Sequence, residues 1–88
     1  VSRRDLKTEI NRHVRDASTR YGVQEELLYS VMAAESSCRH SARSSKGAVG
    51  LMQLLPSTAR EMGYSPHEVR GNIFAGAKYL SKLSARFN

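Results

Sequence analysis

Glu35 closes an apolar-faced stretch, Leu27-Leu28-Tyr29-Ser30-Val31-Met32-Ala33-Ala34-Glu35-Ser36, and Gly50-Leu51-Met52-Gln53 follows after a polar loop. Helical register places Glu35 one turn beyond Val31, on the face predicted to be buried with Leu27, Leu28 and Met32. An unpaired buried charge is costly. An acid in such a place is therefore either paired or kept protonated, and a kept proton can be delivered to a leaving group. The glycine- and serine-rich loop between the two segments would let a long polymeric ligand approach the backbone closely.

The surrounding sequence supplies the elements that must hold these residues. Leu6, Ile10, Val14, Ala17 and Tyr21 form the stripe of an amphipathic helix, with Ser2 and Asp5 at its start and Gly22 at its stop. A second helix should begin near Val23 or Gln24, its first turn carrying Glu25 and Glu26 at the favourable end of the helix dipole. Residues 37–49 lack periodicity and read as an ordered loop. A short helix is predicted over Leu51–Leu54, another from Pro56 through Met62 with Gly63 as its stop, and a turn or brief helix over His67–Val69. Asn72 is placed to cap a last helix with Ile73, Ala77, Leu80, Leu83 and Phe87 along its apolar side. The fold class is all-α: five to six helices around one core, in a single domain over 1–88. Residues 1–17 read as a flanking N-terminal helix and 18–88 as the motif-bearing core.

Composition narrows the function classes. At 88 residues, with 40% apolar and 25% charged residues, the chain suits one small soluble domain. No apolar run approaches the roughly 20 residues that cross a bilayer. The sequence opens on Val1, and no hydrophobic stretch follows Arg3 and Arg4, so any targeting segment is expected upstream. A single cysteine, Cys38, excludes an internal disulfide, and His13, His40 and His67 lack ligand spacing, so no metal site is expected.

The net charge of +6 favours an anionic partner. The loop residues Arg39, His40, Arg43 and Lys46, with no acid among them, directly follow Glu35. A nucleic-acid module would need a recognition helix rich in exposed basic or amide residues. The last helix offers only Lys78, Lys82 and Arg86, so no nucleic-acid partner is expected.

A glycosidic bond breaks through an oxocarbenium-like transition state whose leaving oxygen needs a proton, and ordinary hydrolases add a second carboxylate. The candidates for that second acid, Glu61 and Glu68, lie in segments not expected to face Glu35. One acid without a partner points to a reaction in which the substrate supplies the second group. Ala34-Glu35-Ser36-Ser37, then Gly47-Ala48-Val49-Gly50-Leu51-Met52-Gln53-Leu54-Leu55-Pro56-Ser57-Thr58-Ala59, then Asn72-Ile73 and Tyr79-Leu80, resembles the catalytic domain of soluble lytic murein transglycosylases, which are similar in fold to goose-type lysozyme. The resemblance spans roughly residues 18–88. Its specificity comes from three motifs in order, with eighteen residues from Glu35 to Gln53.

The resemblance implies a lysozyme-like fold and cleavage of the β-1,4 bond between N-acetylmuramic acid and N-acetylglucosamine in peptidoglycan. The muramyl 6-hydroxyl attacks its own anomeric carbon to leave a 1,6-anhydro sugar. It implies Glu35 as the single acid and base, and Ser36, Ser44, Met52, Gln53 and Tyr79 as residues of the substrate site. No cofactor or metal is implied. The expected partner is the peptidoglycan glycan strand, the expected state a monomer, and the expected location periplasmic or exported. Family domains continue into an Ala-Tyr-Asn-Ala-Gly segment that this sequence does not reach, so one cleft wall and the C-terminal part of the fold are expected to be missing. The alternative reading is a non-catalytic peptidoglycan-binding or scaffold fragment.

Overall fold

The computed structural model describes residues 2–87; the side chain of Phe87, expected on the stripe of the last helix, lies outside the described part. Four helices are present among the described residues: α1 (Arg3–Tyr21), α2 (Glu25–Ser36), α3 (Pro56–Glu61) and α4 (Val69–Phe87). The Ser2 hydroxyl accepts from the Asp5 N–H to start α1, and Gly22 ends it by donating to the Ser18 carbonyl. Pro56 opens α3, where its missing N–H removes nothing from the helix.

One expected short helix, over Leu51–Leu54, is absent, and the turn-or-helix expected over His67–Val69 resolves as a turn leading into the last helix. Over Gly50–Gln53 the chain makes a tight turn instead, because Val49 and Leu54 pair through both their N–H and C=O groups, at 2.9 and 3.2 Å. That pairing leaves no helical ladder between them. His67–Val69 does not form a separate helix: α4 starts at Val69, and the Glu68 carbonyl receives the Asn72 N–H at 2.9 Å. Asn72 therefore lies inside α4 and does not cap it.

The core gathers Val14 and Ala17 of α1, Leu28 and Met32 of α2, Leu51 and Met52 of the loop, Ala59 of α3, and Ile73, Phe74, Ala75 and Ala77 of α4. α1 runs unbroken through residues 17 and 18, and packs against both α4 and α2. The Tyr29 hydroxyl ties α2 to α1 by donating to Asn11 Oδ1 at 2.6 Å. At the other end Tyr21, Tyr64 and Phe74 form an aromatic cluster, with the Arg70 guanidinium 4.2 Å from the Phe74 ring centre.

The Tyr21 and Tyr64 hydroxyls are hydrogen-bonded to each other. Burial, then that hydrogen bond, hold the Tyr64 phenol above its ordinary value, with Arg70 and Arg20 pulling the other way. A folded-state value above the unfolded one means stability is full below the ordinary tyrosine range and falls as pH rises through the raised value. Melting temperature followed across the alkaline range should drop more steeply for the parent chain than for Tyr64→Phe. Parallel curves would exclude this contribution.

Candidate active-site groove

α2 presents two adjacent stripes, and the structure buries the one that ends on a serine. Leu28, Met32 and Ser36 point into the core, while Leu27 and Glu35 are exposed and Val31 is half-buried. This corrects the expected burial of Glu35: its stripe is the wall of a groove, not part of the core. The groove has a volume of about 220 Å³ and is lined by Val31, Glu35, Met52, Gln53, Leu54, Gly76, Tyr79 and Leu80. Glu35 is the only carboxylate in that lining. Glu61 and Glu68 are both exposed and line no part of it.

The floor is set by the loop. Met52 is buried and rests on Gly76, where a β-carbon would stand 2.6 Å from Met52 Cε and 3.0 Å from its Cβ. A helix that approaches another segment this closely needs glycine at the contact. Gly76→Ala should therefore push the Met52–Gln53 turn outward, at a cost of roughly 1–3 kcal/mol. Chemical denaturation checks the stability. A variant as stable as the parent would show that Met52 yields freely.

Gln53 sits beside Met52 in the left-handed region, at φ 49°. Non-glycine residues held there are strained, and such strain persists only where neighbours enforce it. The enforcement comes from its own amide, which donates to the Gly50 carbonyl at 2.9 Å and the Ala42 carbonyl at 3.1 Å. Both N–H groups are thereby used. Gln53 Oε1 takes no hydrogen bond from the described residues and remains an acceptor at the groove.

The other expected site residues divide. Tyr79 is 39% exposed and lines the groove opposite Glu35's helix. Ser36 does not face the groove: it is buried, and its hydroxyl lies 2.8 Å from the Leu51 carbonyl and 3.0 Å from the Met32 carbonyl. It joins the end of α2 to the loop and so fixes Glu35 relative to Met52. Ser44 is exposed and accepts from the Ala48 N–H at 2.9 Å, outside the groove lining.

Sequence reasoning also misplaced Asn72. It is fully buried; Oδ1 accepts from the Met52 N–H at 2.7 Å, and Nδ2 donates to the Val49 and Pro66 carbonyls at 3.0 Å each. Gly50, at φ 78°, leaves room for it, since a β-carbon there would come within 2.8 Å of Asn72 Cγ. An amide matched to two backbone groups of a distant loop and one of the segment leading into its own helix cannot be told from a helix cap in sequence.

Among the described residues no group of three or more His, Cys, Asp or Glu is placed to hold a metal ion, and no helix is long and apolar enough to cross a membrane.

The helical fold is that of the lysozyme-like transglycosylases. The solved structure of an inactive mutant of lytic transglycosylase Slt from Pseudomonas aeruginosa superposes with a TM-score of 0.78 at 30% identity, over 89% of this chain and 14% of that one. Residues 12–88 match the Transglycosylase SLT domain, and the chain belongs to that family. It is 38% identical over 82 residues to membrane-bound lytic murein transglycosylase C of Haemophilus ducreyi, covering 80% of the chain and 22% of that relative. It is 36% identical over 72 residues to a transglycosylase of Enterobacteria phage PRD1, covering 81% of the chain and 27% of the relative. The chain thus spans only about a fifth to a quarter of the length of these relatives.

Proposed function

We propose that this chain cleaves the β-1,4 bond between N-acetylmuramic acid and N-acetylglucosamine in peptidoglycan and leaves a 1,6-anhydromuramyl end. The observation that carries this reading is the groove lining, with Glu35 as its one carboxylate beside Gln53, Met52 and Tyr79. The described lining holds no second carboxylate to serve as nucleophile or to activate water; in this reading the muramyl 6-hydroxyl is the nucleophile. Glu35 first gives its proton to the leaving oxygen, and the carboxylate then takes the proton of the 6-hydroxyl as the anhydro ring closes. Protons and charge balance without water. Gln53 Oε1 accepts from a sugar hydroxyl or acetamido N–H, and the Tyr79 ring offers an apolar face to a pyranose. The names of the relatives, membrane-bound lytic murein transglycosylases among them, accord with a substrate in the cell envelope, where we place this chain's action.

The exposure of Glu35 favours a second reading, binding of glycan strands without turnover. Digestion of purified peptidoglycan with mass spectrometry of the soluble products separates the two. Anhydro-muropeptides support cleavage. Retained binding with no product would sink the catalytic reading and leave the second.

A further inference from the structure

The largest concavity among the described pockets shares no lining residue with the groove. It is a bowl of about 700 Å³ lined by Arg3, Leu6, Cys38, Arg39, His40, Ser41, Arg43 and His67. The start of α1 thus meets the loop after α2, and the basic loop seen in sequence acquires a third arginine from far along the chain. No carboxylate lines the bowl, and among the described residues none of the three arginines is in an ion pair. Two are held by the backbone: Arg39 Nε donates to the Ser36 carbonyl at 3.3 Å, and Arg43 Nη1 to the His40 and Ala42 carbonyls at 3.2 and 2.8 Å. These bonds engage part of each guanidinium and leave other N–H groups for a ligand. Planar guanidinium forks match carboxylates in a bidentate way.

The bowl is also apolar. It adjoins a second pocket of about 310 Å³, lined in part by Ile10, Tyr29 and Met32, with Arg3, Leu6 and Cys38 common to both. A bare phosphate chain has no use for such a surface, whereas an acidic peptide with small aliphatic side chains fits both halves. On the His40 ring, Nε2 lies 2.9 Å from the His67 carbonyl and so carries the proton. Nδ1 is buried without a partner among the described residues, an unused polar atom in the wall.

We propose that this bowl binds the carboxylate-bearing peptide stems of murein. The inference rests on the function proposed above and adds a second point of attachment to the same polymer. A glycan strand in the groove would then be held also through its peptide substituents.

The test compares binding of the chain to intact murein and to glycan strands stripped of peptide by an amidase. The parent should bind intact murein at least about tenfold more tightly at low salt, a ratio that shrinks as salt screens the pairs. Arg39→Glu with Arg43→Glu should collapse the ratio towards one. Lys46→Glu, a reversal on the same loop but outside the bowl, should preserve it. Stem peptide released from murein should compete with the parent for intact murein. Equal binding of the parent to intact and stripped strands would overturn the proposal while leaving the groove reading in place. An equal loss in Lys46→Glu would reduce the effect to general charge and overturn it too. Failure to bind either strand would instead count against the function itself. Binding of the double variant to stripped strands reports that its fold is intact.

Discussion

Glu35→Gln is expected to reduce release of anhydro-muropeptides by at least about a thousandfold while the domain stays folded. The amide fills the same space but can neither deliver a proton to the leaving oxygen nor remove one from the 6-hydroxyl, and general acid–base catalysis of this kind is worth roughly 10²–10⁴ in rate. Two proton transfers depend on the one carboxyl, so the upper part of that range applies. Because Glu35 is exposed and has no side-chain partner among the described residues, the substitution should change stability by no more than about 0.5 kcal/mol. Glu61→Gln and Glu68→Gln, neither of which touches the groove, should leave product release unchanged. Turnover surviving in Glu35→Gln would require another proton carrier and would overturn the single-acid mechanism.

Asn72→Ala should be the most damaging substitution for the fold. Removing the amide strands the Met52 N–H and the Val49 and Pro66 carbonyls in the interior, each at about 1–3 kcal/mol. Even with partial relaxation the loss should reach about 3–5 kcal/mol, a large part of the roughly 5–15 kcal/mol that holds a domain. Asn72→Asp provides the control. Its carboxylate keeps the bond from Met52 but opposes two carbonyl oxygens, so the folded state should hold the acid's proton more tightly than the unfolded chain does. Relative to the parent, that variant should be most stable below the ordinary carboxylate range and lose stability as pH rises through it. Urea unfolding at two pH values measures both effects. A loss under about 1 kcal/mol in Asn72→Ala would show that water replaces the amide.

The helices of this chain were legible because their stripes and stops are local. Leu6 to Tyr21 with Gly22, and Pro56 with Gly63, announce themselves by spacing. The missing information was rotational. On α2, Leu27-Val31-Glu35 and Leu28-Met32-Ser36 are neighbouring four-residue rows of similar apolarity; only packing against α1 and the loop selects the second for burial. The same limit hid the turn at Gly50–Gln53, where pairing of Val49 with Leu54 and the left-handed Gln53 override a helical pattern. Glu35, Gln53 and Tyr79, which the motifs name together, line one groove. Ser36 was assigned to substrate contact when its hydroxyl in fact ties backbone to backbone. The bowl was only half visible, since Arg39 and Arg43 are close in sequence but Arg3 joins them through the fold.

Cys38 stands on the border between the bowl and the apolar pocket, exposed, and is the chain's only cysteine. A maleimide dye or spin label can therefore be attached at one defined position without prior mutagenesis. Its left-handed backbone, at φ 60°, fixes the direction in which the label leaves the surface. The alkylation rate of that thiol, with and without added stem peptide, then reports occupancy optically and without reference to turnover.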